Sequence, residues 1–340
     1  MSNRLGRKSI LPENSIFSGR ELSRGERVAV AIPIAVAAAL AAWLAFQRVP
    51  EMMARDFTYP WWGASALLSG ENPYDTIRPT GPPPNDLWFM YPLTAPIAVI
   101  PFARLPAQLA GALFSGLSAG LLAFVLSANG GLRSFLVFLS PSFGFAIVLG
   151  QWSPLLVAAA FAVPLSWALV CKPTIGLPLF LYRPSWRAAI ICSAFLLLSI
   201  LIQPSWPLDW WRNTQRLEGH FLPVLRPFGF LGVLAFLRWR RPEGRLVGGM
   251  TLVPQNLYFY DQLPLFLAAT TVRRTLLLIL LSWSAWWLGR IGCETPRYCG
   301  PESEIWIIVL MYIPAACMAL FSAADVQRLL DRIRTRSLGT

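Results

Sequence analysis

Residues 28–46, with the sequence VAVAIPIAVAAALAAWLAF, decide the fold class of this chain. The run carries no charged side chain. As a helix rising about 1.5 Å per residue, it nearly crosses the roughly 30 Å hydrocarbon layer of a bilayer. Comparable apolar runs occur at 105–127, 188–202 and 305–323. Because lipid cannot satisfy the backbone of an open strand, these runs predict membrane-spanning helices.

The overall composition agrees with this interpretation. Of the 340 residues, 55% are hydrophobic and 14% are charged, whereas an ordinary soluble domain has about 25% charged residues. This composition is not that of an ordinary soluble domain. The net charge of +12 does not indicate a nucleic-acid partner, because the basic residues are spread between apolar runs rather than gathered on one face.

The positions of the basic residues predict the topology. Arginines and Lys8 precede the first apolar run, so the N-terminus is expected in the cytoplasm. No cleavage site follows the run, so it is expected to remain as a helix. Alternation along the chain predicts a multi-pass protein of the cytoplasmic (plasma) membrane, all-α, with about nine to twelve segments, some short or broken, and both termini cytoplasmic. The expected parts are a basic tail (1–27), one transmembrane domain (28–323) with outer loops 47–90 and 203–226, and an amphipathic tail (324–340).

The first outer loop holds a carboxylate close to the end of the first helix. Residues 57–68 are expected to form an interfacial helix with Gly70 as its stop signal. Asp56 has two compatible interpretations: it caps this helix, or it is a general base whose pKa is raised by the aromatic, apolar surface beside it. Prolines at 92, 96, 101 and 106 then predict a short broken helix facing a cavity.

Several short elements follow one another in a fixed order between about Asp56 and Leu265. They are Asp56-Phe57, Ala66-Leu67-Leu68-x-Gly70-x-x-Pro73-Tyr74-Asp75, Phe89-x-Tyr91-Pro92-Leu93, Leu149-Gly150-Gln151, Lys172-Pro173 with Leu177-Pro178, and Tyr260-Asp261 before Leu263-Pro264. Together they resemble glycosyltransferase family 87, GT-C-type mannosyltransferases that use polyprenyl-phosphate mannose. The chain departs from the family pattern at Leu93, where the family commonly has a second proline. It also departs at Lys172, which is followed directly by Pro173, whereas the family commonly has a Gln or similar residue next to the proline.

The resemblance implies an all-α, GT-C-like fold and an inverting hexosyltransferase acting at the outer face. It implies Asp56 as the catalytic base and Lys172 as a ligand of the donor phosphate. The implied partners are a polyprenyl-phosphate sugar, a lipid or glycan acceptor, and membrane lipids. The other polar residues of the matching elements are expected to bind substrate: Tyr74, Asp75, Tyr91, Gln151, Tyr260 and Asp261.

Lys172 also stands out without the resemblance. It lies between apolar runs, where a charge costs roughly 2.5 to 3.5 kcal/mol on insertion scales and is usually tied to a partner or a function. The alternative is a side chain that extends toward the membrane interface.

The second outer loop combines tryptophans with cations. Arg212, Arg226 and His220, the only histidine, are candidates for binding a donor phosphate. The alternative is an aromatic belt with solvated arginines.

Metal and redox chemistry receive little support from the sequence. No dense carboxylate or His/Cys constellation and no P-loop is present, so we expect no metal or cofactor, and an activated lipid-linked sugar as co-substrate. Cys293 and Cys299 share one loop and are either a disulfide or two free thiols.

Two other functions remain open at this stage. Broken helices and an intramembrane lysine would also fit a transporter or lipid flippase, although no related halves are visible in the sequence. A non-catalytic subunit of a larger membrane complex is the third alternative.

Overall fold

The structure is a computed structural model that describes residues 22–48, 53–79, 88–129, 134–216, 221–291 and 301–321, together with Asp325. Within these ranges the fold is all-α, as predicted, and the sole β-type pairing is an isolated bridge between Phe221 and Gln255. Most of the two predicted tails (1–27 and 324–340) lies outside the described residues, and so do His220, Cys293 and Cys299.

The α-helices are, in chain order, α1 (Arg24–Gln47), α2 (Thr58–Leu68), α3 (Pro73–Thr76), α4 (Thr94–Val99), α5 (Ala107–Asn129), α6 (Pro141–Val148), α7 (Ser153–Phe161), α8 (Pro173–Tyr182), α9 (Trp186–Ile202), α10 (Trp206–Thr214), α11 (Pro242–Leu252), α12 (Val272–Arg290), α13 (Pro301–Ile307) and α14 (Ile313–Leu320). Between them lie 3₁₀ segments at Arg55–Phe57, Ile100–Phe102, Leu136–Leu139, Val163–Val170, Pro223–Leu225, Gly229–Arg238 and Phe259–Ala268, and a π-helical turn at Ile308–Tyr312.

Two of the described helices, α1 and α5, are long and apolar enough to cross a membrane. Two further pairs pass the same test only when joined across a sharp bend, which is 116° between α6 and α7 and 96° between α9 and α10. The described residues therefore contain two to four such segments by length and composition. The short, interrupted helices expected from the prolines are present, while the crossing number of about nine to twelve stays a prediction.

Helices α1 and α5 form the longest packed pair, running in opposite directions. Two glycines of α5 permit this approach: a Cβ on Gly116 would lie 2.7 Å from the Ala35 carbonyl oxygen, and one on Gly120 would lie 2.8 Å from Ala35 Cβ. Small residues spaced in this way are typical of helix contacts in membranes. At one end of the pair, Arg27 donates to the Phe124 carbonyl oxygen at 2.9 Å.

The face of α1 that turns away from α5 is apolar and exposed. Its large side chains are 41% to 60% exposed and recur every four residues, at Val28, Ile32, Val36, Leu40 and Leu44. An apolar stripe of this length is uncommon on a soluble monomer. Together with the apolar helices, it suggests insertion into a membrane.

The first loop folds largely as predicted. Helix α2 closely matches the expected helix over 57–68, and Gly70 follows it with φ +75°. However, α2 has no side-chain cap. The interpretation of Asp56 as the N-cap is therefore wrong, and its carboxylate is engaged elsewhere.

Candidate functional site

The α6–α7 bend provides the first side chain of the site. The two helices meet at 116°, and the connection is the predicted element Leu149-Gly150-Gln151 followed by Trp152. Gly150 has φ +64°, a left-handed conformation that glycine adopts without steric cost. The reversal leaves Gln151 at the tip of the bend, where it is 2% exposed.

Asp56 is attached to this bend through both its backbone and its side chain. Its amide donates to the Leu149 carbonyl oxygen at 3.2 Å, and Gln151 Nε2 donates to its carboxylate. The backbone just before Asp56 is strained, because Met53 (φ 44°) and Arg55 (φ 56°) are both left-handed without being glycine. Such outliers concentrate at functional sites.

Lys172 joins the same group from another part of the fold. It immediately precedes α8, where Pro173 is the first helical residue. Its Nζ donates to Gln151 Oε1 at 3.1 Å and to Asp261 Oδ1 at 2.6 Å. The Lys172 side chain is 16% exposed and that of Asp261 2%, so the lysine is paired inside the protein.

We call Asp56, Gln151, Lys172 and Asp261 the site cluster. The hydrogen bonds link these residues in the order Asp56, Gln151, Lys172, Asp261. Gln151 uses its amide nitrogen toward the first carboxylate and its amide oxygen toward the ammonium. Each buried polar group in the row is therefore supplied with a partner of the required kind.

Two tyrosines border the site cluster. Lys172 Nζ lies 5.0 Å from the centre of the Tyr260 ring, and the Tyr260 hydroxyl accepts a hydrogen bond from Asn256 at 3.2 Å. Tyr91 and Tyr260 both lie within electrostatic range of the Asp56 and Asp261 carboxylates. The sequence elements around residues 56, 91, 151, 172 and 260 thus come together in space.

The surroundings shift the protonation equilibrium of Asp56, which lies in the loop between the two long helices. Burial raises its pKa from 3.8 to about 6, since desolvation disfavours the charged form. Lys172 and Arg55 oppose this rise, Asp261 adds to it, and the hydrogen bond from Gln151 opposes it. A carboxyl group with a pKa near 6 exchanges a proton readily close to neutral pH.

Arg55 is a residue that the sequence reasoning missed. Its positive charge acts on Asp56, and it stands directly before that residue in the chain. In the sequence, the one indication of this role is that Arg55 is adjacent to Asp56. The left-handed backbone at Arg55 has no signature in the sequence.

Tyr74 and Asp75 lie outside the site cluster. Tyr74 is buried in a hydrophobic cluster with Phe89 and Trp206 and donates to the Tyr91 carbonyl oxygen at 2.8 Å. Asp75 is exposed and accepts from Asn72 at 2.9 Å. Tyr74 therefore holds the backbone of Tyr91, whereas the side chain of Asp75 contacts Asn72 in its own turn.

The arginines proposed for phosphate binding have other partners. Arg212 is exposed and lies 3.5 Å from Asp209. Arg226 pairs with Glu304 at 2.8 Å and stacks on the Phe221 ring at 3.4 Å. The structure does not bring either side chain into the site cluster.

Among the described residues, no group of three or more His, Cys, Asp or Glu side chains is placed to hold a metal ion. The chain matches no protein-family model, no curated protein and no solved structure.

Proposed function

We propose that this chain is an inverting membrane hexosyltransferase. It would move a hexose, mannose by the resemblance to glycosyltransferase family 87, from a polyprenyl-phosphate donor to a lipid or glycan acceptor. The observation that carries the proposal is the row of hydrogen bonds joining Asp56 to Lys172 through Gln151. Gln151 contacts both the Asp56 carboxylate, a proton acceptor, and the Lys172 ammonium, a cation. Glycosyl transfer from a phosphate requires both kinds of group.

Asp56 acts as the general base. Its carboxylate removes the proton of the acceptor hydroxyl, and the acceptor oxygen forms a bond to the anomeric carbon. The bond between that carbon and the phosphate oxygen breaks, and its electron pair leaves with the phosphate. A pKa of about 6 leaves the carboxylate largely ionised at pH 7 and still basic enough to accept the proton.

Lys172 stabilises the departing phosphate. An ammonium has three N–H donors, and Gln151 and Asp261 occupy two of them. Within the described ranges the third has no hydrogen-bond acceptor, and the nitrogen lies 5.0 Å from the centre of the Tyr260 ring, so this N–H is available to a phosphate oxygen. Asp261 orients the ammonium through its 2.6 Å hydrogen bond, and the lipid-linked sugar is the activated co-substrate.

A transporter is the second candidate, supported by the 116° break between α6 and α7 and by the buried pair of Lys172 and Asp261. Transporters use interrupted helices and intramembrane ion pairs to bind their cargo. Counterflow of labelled lipid in proteoliposomes without covalent transfer would favour this candidate.

The test is transfer of label from a polyprenyl-phosphate hexose in proteoliposomes. Asp56→Asn keeps the shape of the side chain and removes the base, so we expect transfer to fall by about 10² to 10⁴. Glu71→Gln changes another exposed carboxylate of the same loop and is expected to leave transfer unchanged. Full activity of a folded Asp56→Asn protein would overturn the assignment.

A further inference from the structure

Helix α10 lies across the end of an apolar helix. It follows α9 after a short connection and turns by 96° relative to it. The outward side chains of α9 are apolar and exposed, among them Ile190 (57%), Leu197 (57%) and Leu201 (71%). If α9 stands in a bilayer, a helix at right angles to it lies in the plane of the membrane surface.

The two faces of α10 differ sharply. Trp206 and Asn213 are each 5% exposed and face the protein, whereas Leu208 (64%), Trp211 (61%) and Arg212 (70%) are exposed on the opposite face. Leucine, tryptophan and arginine on one exposed face are typical of helices in the headgroup region, where the rings sit at the boundary and the cation reaches phosphate.

The inner face of α10 holds the backbone of the first loop. Trp210 Nε1 donates to the Met90 carbonyl oxygen at 2.7 Å, and Asn213 Nδ2 donates to the Phe89 carbonyl oxygen at 3.1 Å. The next carbonyl, of Tyr91, is held by the Tyr74 hydroxyl. Three consecutive peptide carbonyls are therefore fixed by side chains, two of them from α10.

The segment held in this way leads directly to the site cluster. Tyr91 lies within electrostatic range of both carboxylates. Thr94, at the start of α4, donates to the Val170 carbonyl oxygen at 2.7 Å, two residues before Lys172. A shift of residues 89–91 would thus move a ring that borders the site.

We infer that α10 binds a lipid surface, and that this contact holds residues 88–91, with Tyr91, in place beside the site cluster. The partner is the phosphate-bearing headgroup layer of a bilayer. Arg212 faces outward, and Arg216 stacks on Trp88 at 3.9 Å just beyond the helix, while Asp209 is the one acidic side chain between residues 206 and 216. Binding of α10 to lipid does not depend on the proposed function. Only a consequence of this binding for sugar transfer would rest on the proposed function.

Spin labels at Leu208→Cys and Trp211→Cys test the lipid contact. Each is introduced singly into a protein whose five native cysteines are replaced by serine, in phosphatidylcholine vesicles containing one part in four of phosphatidylglycerol. We expect both labels to be more accessible to oxygen than to a water-soluble nickel chelate. A label at Asp75→Cys, exposed in the first loop, is the comparison, and labels at 208 and 211 as water-accessible as that one would overturn the inference.

Hydrogen exchange tests the second half of the inference. In the same vesicles, Leu208→Gln with Trp211→Gln is expected to speed exchange of the peptide spanning 88–93 by about threefold or more, because the held segment opens more often. Leu280→Gln with Trp287→Gln is a matched control, since these side chains of α12 are 65% and 61% exposed.

Equal exchange at 88–93 in the wild type and both double variants would show that α10 does not hold the segment. The measurement needs no sugar donor. Its failure would leave the assignment of Asp56 untouched, and loss of that assignment would leave this result standing.

Discussion

The backbone amide of Asp56 donates a hydrogen bond to the carbonyl oxygen of Leu149 at 3.2 Å. The bond joins the first loop to the α6–α7 bend, so the position of the carboxylate depends on the shape of that bend. Gly150 is the residue that sets this shape. A Cβ there would lie 2.8 Å from the Ala54 carbonyl oxygen and 2.9 Å from Phe57 Cβ.

Gly150→Ala is expected to destabilise the protein and displace Asp56. The left-handed backbone costs about 1–3 kcal/mol for a residue with a side chain, and the new methyl group meets the loop that carries the carboxylate. Gly144→Ala in α6 is the control, because a Cβ there meets nothing within 4 Å. Chemical unfolding of both variants in detergent checks the difference, and equal stabilities would contradict the role of Gly150.

The transfer rate is expected to rise with pH and level off above about pH 6. Asp56 must be ionised to accept a proton, and its pKa lies at about 6. In Asp56→Glu the inflection is expected to persist at a shifted pH, and in the residual activity of Asp56→Asn it is expected to vanish. A pH–rate profile of all three proteins decides this, and an inflection that survives in Asp56→Asn would assign it to another group.

Asp56 is also expected to lower stability at neutral pH. Its pKa is higher in the folded protein, about 6 against 3.8, so the folded state binds more protons and its stability falls as pH rises between these values. The effect is at most about 3 kcal/mol. Asp56→Asn is therefore expected to raise the unfolding temperature at pH 7.5 but not at pH 3.5. A gain of the same size at both pH values would contradict this.

Lys172 and Asp261 are expected to behave as a coupled pair. Removing one partner leaves the other charge buried, which costs about 3–5 kcal/mol, whereas replacing both by apolar residues is often close to neutral. We expect Asp261→Leu and Lys172→Met each to lower the free energy of unfolding. The double variant is expected to lose less than the sum of the two single losses. A double-mutant cycle in denaturant measures the coupling, and additive losses would show that the pair is not coupled.

Parts of this fold follow from the sequence and others do not. Helix α2, the stop at Gly70 and the helix breaks among the prolines come from local rules of propensity and backbone geometry. The convergence of residues 56, 91, 151, 172 and 260 was predicted only through the order of their motifs. Their actual contacts need the 116° bend after α6; Gly150 indicates a break in the helix there but does not specify its angle.

The number of crossings is the weakest sequence prediction for a physical reason. An apolar run of 10 to 14 residues has the same composition whether it is packed inside the protein or faces lipid. Helix α8 and the 3₁₀ segment Gly229–Arg238 are of this kind. The ion pair of Arg226 with Glu304 could not be predicted from the sequence either, since Glu304 lies on a helix far along the chain.

The charges around Gln151 have a consequence for proton stoichiometry. Asp56 and Asp261 carry two negative charges when ionised, and Lys172 and Arg55 carry two positive ones, so this neighbourhood is neutral in total. An incoming anion would leave it negative, and this raises the affinity of Asp56 for a proton. Anion binding and proton uptake are thus thermodynamically linked, and titration calorimetry in buffers of different ionisation enthalpy would count the protons taken up.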